Sequence, residues 1–127
     1  MQAAFSITVD VPRSLVRIHM SGFFASGDIS RFVDARDQAH NLLKCRPNEH
    51  LTLVDIRDMD IQAQDSVARF QIVLANTSKV SKRIAFIVAQ SLSRMQIKRA
   101  AHNRDAGYFS DISEAELWLL KGNSDPY

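Results

Sequence analysis

The sequence predicts a single α/β domain built on a mixed β-sheet, with elements in the order β-β-α-β-α-β-α-β-α. Three observations carry that expectation. Leu51-Thr52-Leu53-Val54-Asp55-Ile56 and Ile84-Ala85-Phe86-Ile87-Val88 are short, nearly continuous apolar runs separated by a helical stretch. That is the pattern of strands buried on both faces in a βαβ unit. Phe5, Ile7 and Val9 alternate with polar residues, and Val16, Ile18 and Met20 do the same, which marks two half-buried strands. A length of 127 residues, 46% hydrophobic and 24% charged, fits one domain with a real core.

The two alternating strands are joined by Asp10-Val11-Pro12-Arg13-Ser14, short enough for a hairpin, so they are expected to pair antiparallel. The turn-rich stretch Ser21-Gly22-Phe23-Phe24-Ala25-Ser26-Gly27 follows, and Ser26 or Asp28 is placed to cap a helix. Ile29, Phe32, Val33, Ala35, Ala39, Leu42 and Leu43 then recur at helical spacing, about four turns with one buried face. Arg46-Pro47-Asn48-Glu49 leads into the buried strand Leu51 to Ile56, with Asp55 near its C-terminal end. A second helix is expected from about Asp65, with Val67, Phe70, Val73, Leu74 and Thr77 inward. Lys79 to Lys82 connects it to strand Ile84–Val88. Ser91 can cap a third helix, Leu92 to about Ala101, and Ala106-Gly107-Tyr108-Phe109 reads as a short last strand. Ser113 and Glu116 have the spacing of a capping box opening a last helix through Leu120, with Trp118 packed on the sheet. The core is expected over about 5–121, with 122–127 as a tail.

Composition narrows the function classes. No apolar run reaches the ~18 residues of a membrane span, and the N-terminus has neither a basic segment nor a long apolar one, so a cytoplasmic location is expected. Cys45 is the one cysteine, which excludes an intrachain disulfide and a multi-cysteine metal site. The four histidines, His19, His40, His50 and His102, are scattered with no zinc-site spacing. Gly-x-Gly-x-x-Gly is absent. Net charge is +2, yet charge is segregated. Ser66 to Arg104 contains no Asp or Glu but holds Arg69, Lys79, Lys82, Arg83, Arg94, Lys98, Arg99 and Arg104, and Asp55, Asp58, Asp60 and Asp65 precede it. Such asymmetry suits a surface that meets a charged partner. It also suits charges solvated on separate faces.

The element order, with Leu53-Val54-Asp55-Ile56-Arg57, Arg83 to Val88, Arg94-Met95-Gln96, Tyr108-Phe109 and Glu114-Ala115-Glu116-Leu117-Trp118-Leu119, resembles the STAS superfamily of anti-sigma-factor antagonists. The likeness is greatest to its SpoIIAA-like branch and spans roughly Phe5 to Leu120. The resemblance implies a STAS-like fold and a regulatory, protein-interacting role. In anti-sigma-factor antagonists a serine at the start of the helix after the central strand is phosphorylated, within Asp-Ser-Ser/Thr-Gly. Here the nearest match is Asp65-Ser66-Val67-Ala68. Val67 stands at the acceptor position in that register; shifting by one makes Ser66 the acceptor but loses the aspartate. The branch also resembles domains that bind lipids or other hydrophobic ligands.

The candidate sites follow. Asp58, Asp65, Ser66, Arg94 and Lys98 are the expected partner-binding surface, with Ser66 the phosphoacceptor candidate. Each has a local alternative: Asp65 and Ser66 as helix-cap residues, the basic side chains as a solvated helix face. Four aspartates within eleven residues could take Mg²⁺, or serve turns and caps. Nucleic acid is not expected, because no aromatics interleave with the basic residues. Phe23, Phe24 and Met59 are the expected lining of a hydrophobic-ligand site, with burial as core the alternative for the two phenylalanines. No catalytic motif, metal site or cofactor is read. The leading expectation is therefore a non-catalytic regulatory or protein-interaction module. The alternative is a carrier for a lipid-like molecule held between helices and sheet. The alternating opening strands leave an edge at which a homodimer could pair.

Overall fold

A computed structural model describes residues 2–75, 81–89, 91–101 and 105–121. The alternating segments form the expected hairpin: β1 (Ala4–Asp10) and β2 (Leu15–Gly22) pair antiparallel, with Ile7 opposite Ile18. The apolar runs form β3 (Leu51–Met59) and β4 (Arg83–Ile87), and β5 (Ala106–Phe109) completes the sheet. Its spatial order is β1-β2-β3-β4-β5, and every pairing after the hairpin is parallel. The connecting helices are α1 (Ser26–His40), α2 (Gln64–Ala75), α3 (Ser91–Ala100) and α4 (Ile112–Lys121). The fold class and element order are as the sequence predicts. No described helix is long and apolar enough to cross a membrane.

Side-chain alternation divides the core between the two sheet faces. On one face Ile18, Met20, Val54, Ile56, Ile84 and Phe86 meet α1, α2 and α3 through Ile29, Phe32, Phe70, Val73, Leu74 and Ile97. On the other, Leu15, Leu51, Leu53, Ala85 and Ile87 meet Ala115 and Leu119 of α4. The two layers sit differently. The α4 backbone comes close to β3, β4 and β5, which the small side chains Ala85 and Ala115 allow. The close backbone neighbours of α2 are α1 and α3 instead of the strands. The larger Phe70, Val73 and Leu74 bridge that wider gap.

Three boundaries differ from the expectation, each for a local reason. β3 runs to Met59 instead of ending at Ile56, because β2 continues alongside it to Gly22 after a register shift between His19 and Ser21. α1 ends at His40. The next three N–H groups bond three residues back, Leu42 to the Ala39 carbonyl at 3.0 Å, and this tighter turn carries Leu42 off the buried face to 61% exposure. α4 starts at Ile112, and Asp111 Oδ2 accepts the Glu114 N–H at 3.2 Å. The cap is therefore Asp111, which leaves Glu116 free to pair with Arg17 at 2.7 Å. At α1 the cap position is Ala25, and Asp28 reaches back to accept the Ala25 N–H at 2.9 Å. The roles expected of Thr77, Lys79, His102, Arg104, the Ser91 side chain and the 122–127 tail lie outside the described residues.

Candidate functional site

The parallel connections bring the end of β3, the start of α2 and the start of α3 to one end of the sheet. There the structure places Asp58, Asp65, Ser66 and Arg94, with Lys98 one turn further along α3. Much of this corner is internally satisfied. Gln62 is buried; its Oε1 accepts the Phe24 N–H at 2.8 Å and its Nε2 donates to the Gly22 carbonyl at 3.0 Å. Gln96 Oε1 accepts the Gln62 N–H at 3.0 Å, and Gln96 Nε2 returns a bond to the Gln62 carbonyl at 2.9 Å. Ser66 belongs to the same lock. It is only 6% exposed, and its hydroxyl donates to the Phe24 carbonyl at 2.6 Å. A phosphoryl group there would break that bond and bring about −1.5 to −2 charge into a buried position. In this folded arrangement Ser66 is not the accessible acceptor that a phosphoswitch needs.

The aspartates diverge. Asp55 faces the α4 side and accepts from the Arg57 N–H at 3.1 Å and from Arg57 Nη2 at 2.8 Å. Burial opposes its ionisation, but the Arg57 hydrogen bonds and charge outweigh that and hold its pKa below the usual carboxylate value. Asp58 Oδ2 lies 2.9 Å from His19 Nε2. Asp65 is exposed in the first turn of α2. Among the described residues no three acidic, histidine or cysteine side chains converge on a point where a metal could sit. On α3, Arg94 Nη2 donates to the Tyr108 carbonyl at 3.4 Å, and Lys98 Nζ lies 5.4 Å from the centre of the Tyr108 ring.

The apolar trio does not assemble. Phe24 is fully buried, edge-on to Phe70 at 5.9 Å. Phe23 is 43% exposed beside Gln2 and Asp28. Of the three only Met59 lines a cavity between sheet and helices, so the trio does not share one lining. That cavity, of about 90 Å³, lies under α1, α2 and α3. Thr52, Val54 and Ile56 face it along roughly 13 Å of β3. Ile18, Met20, Ile84 and Phe86 add to its floor, and Phe70, Val73 and Leu74 to its roof. A smaller void of about 40 Å³ adjoins it, sharing Ile56, Met59, Phe70 and Ile97 and reaching the Gln62–Gln96 pair.

The opposite end of the cavity is polar. Arg36, His40, His50, Thr52 and Ser81 gather where β3 and β4 begin and α1 ends. The rings of His40 and His50 are 4.6 Å apart. Arg36 is 11% exposed; its Nη2 lies 3.3 Å from Asp37 Oδ1, while its Nε is buried without a hydrogen-bond partner. None of these residues except Thr52 belongs to an element the sequence reading treated as a site. The signal was present: Arg36 and His40 continue the stripe of Ile29, Phe32 and Val33 at helical spacing. Basic residues on a buried stripe are the marker of this end. Gln62 and Ser81 had no such marker, since a lone polar residue in a connection looks the same buried or exposed.

No protein-family model matches the sequence, and no curated protein matches it. A solved structure described as an uncharacterized protein from the DUF3478 family with a SpoIIAA-like fold, from Shewanella loihica PV-4, is similar to this chain with a TM-score of 0.72. The two are 18% identical, and the likeness covers 94% of this chain and 96% of that one. The fold of this chain is thus SpoIIAA-like, as the resemblance in the sequence implied.

Proposed function

We propose that this protein is a non-catalytic binding module that holds a small apolar molecule between its sheet and the α1–α3 layer. The cavity of about 90 Å³ carries this reading. The cavity is partly open to solvent, and Val54, Ile56, Phe86, Phe70 and Leu74 give it an apolar lining that a ligand would remove from water. Its volume is below the ~150 Å³ of an engineered cavity that binds benzene. Anything larger than a small fragment therefore enters as α2, which keeps its distance from the strands, gives way. Titration with benzene, followed by methyl NMR, tests the reading. Shifts are expected at Val54, Ile56, Met59 and Leu74. Shifts confined to exposed methyls such as Ile72, or none at all, would remove it.

A second reading, an interaction with another protein through the corner at the strand ends, has an observation of its own. Ile61 and Met95 are 46% and 58% exposed, and each is next in sequence to a member of the bonded Gln62–Gln96 pair. Asp58, Asp65, Arg94 and Lys98 belong to the same strand end and helix starts. Apolar residues ringed by charge are the usual anatomy of a contact patch. The double variant Arg94→Glu, Met95→Glu tests it. A defined partner that binds wild type should be lost, and one that binds both equally places the contact elsewhere.

A further inference from the structure

We propose that this protein binds a second copy of itself through the free edge of β1, the two strands pairing antiparallel about a two-fold axis at Ile7, so that two five-stranded sheets join into one. β1 and β5 are the two edges of the sheet. Edge strands present unpaired N–H and C=O groups, and proteins that stay monomeric blunt them with charge, proline, bulges or shortness. β5 is blunted: it has four residues and is bracketed by Asp105 and Asp111. β1 is not. It has seven residues, pairs with β2 without a register shift, and carries no charge and no proline from Ala4 to Val9.

The strand is complementary to itself in this register. With Ile7 opposite its own copy, all seven residues pair: Phe5 meets Val9, Ser6 meets Thr8 and Ala4 meets Asp10 across the axis. Aromatic with β-branched and hydroxyl with hydroxyl are cross-strand pairs that stabilise a ladder. The strand's one charge, Asp10, stands at its end. An antiparallel pair holds the two Asp10 carboxylates about 20 Å apart, at roughly 3.4 Å per residue, whereas a parallel pair sets them side by side. The apolar layer also continues across the joint. Phe5, Ile7 and Val9 are half-buried and pack on the core, Phe5 edge-on to Phe32 of α1 at 5.5 Å. Pairing covers their outer sides. α1 leaves room for its copy. Arg69 Nη2 of α2 donates to Ser30 Oγ at 3.1 Å, which puts α2 on one flank of α1. Ala39, about two and a half turns on from Ser30, lies on the opposite flank with Ala35 one turn before it. Asp28, at the start of that flank, is already engaged by Arg31 and the Ala25 N–H.

Sedimentation equilibrium of the unmodified protein over a concentration series tests the association, and two double variants test the register. A species of twice 14.3 kDa is expected. Ser6→Lys with Thr8→Lys sets like charges opposite each other at both Ser6–Thr8 pairs and should give a monomer. Ser6→Lys with Thr8→Glu sets opposite charges there and should stay dimeric. Both positions are on the exposed face of β1, so each variant should keep the far-UV circular dichroism of the unmodified protein. A monomer at every concentration up to millimolar overturns the proposal. A dimer that persists in the lysine pair overturns it too, as does one lost equally in both variants. Should either variant not fold, hydrogen exchange on the unmodified protein decides. A paired β1 protects every amide from Phe5 to Val9, whereas fast exchange at alternate amides marks a free edge and overturns the dimer.

Discussion

Ser66 shows how one hydrogen bond changes what a residue can do. Its hydroxyl closes the Phe24 carbonyl, and removing it leaves that carbonyl buried. Ser66→Ala should therefore cost about 1–3 kcal/mol in urea unfolding, the desolvation penalty of an unmet acceptor; an unchanged midpoint would mean the carbonyl finds water. Asp55 makes a pH prediction. Its folded pKa lies below the unfolded value, despite burial, because Arg57 stabilises the carboxylate. Such a group adds stability that is fully present above the unfolded pKa of about 4 and is lost as pH falls through the folded value. Asp55→Asn should be less stable than wild type at neutral pH, and the gap should close on acidification. A gap that widens toward acid would reverse the assigned sign. The sequence made Asp55 visible as an acid in an apolar strand. It could not make Arg36 visible in the same way, because a basic residue on a helix is ordinarily solvated, and only the neighbouring positions Phe32 and His40 reveal the buried stripe.

Elements were legible where periodicity decides and less so where ends decide. The hairpin and the two buried strands follow directly from alternation and from continuous apolar runs. Ends depend on hydrogen bonds that several residues can supply. The spacing of Ser113 and Glu116 fits a capping box as well as that of Asp111 and Glu114, and Asp111 holds the position because Glu116 is drawn to Arg17 across the sheet face. Asp111→Ala should destabilise by about 1 kcal/mol, whereas Ser113→Ala, inside the helix and exposed, should stay within ~0.5 kcal/mol. Equal losses would restore Ser113 as the cap. The length of β3 was likewise hidden, since Arg57, Asp58 and Met59 are strand residues only because β2 runs beside them.

At the scale of the whole molecule the two sheet faces divide the work. Small residues let α4 lie close on one face. Larger residues on α2 hold that helix further off, and the cavity lies in the gap. The sequence pointed to the C-terminal ends of the strands, the usual place for sites in parallel sheets, and in that corner Gln62 and Gln96 bond each other and Ser66 bonds the Phe24 carbonyl. The unmet donor is at the other end. If the gap is kept for a ligand at the expense of packing, filling it should stabilise the fold. Val54→Ile adds one methylene to the void and should raise stability by up to about 0.8 kcal/mol, with weaker uptake of any apolar solute; a destabilised variant would mean the space is already used. The most direct measurement is a crystal of the unmodified protein pressurised with xenon, which enters dry apolar cavities of sufficient size. Xenon should appear between Val54, Phe86 and Leu74. Xenon bound only at the surface, or a site filled by side chains, would contradict a binding cavity under the α1–α3 layer.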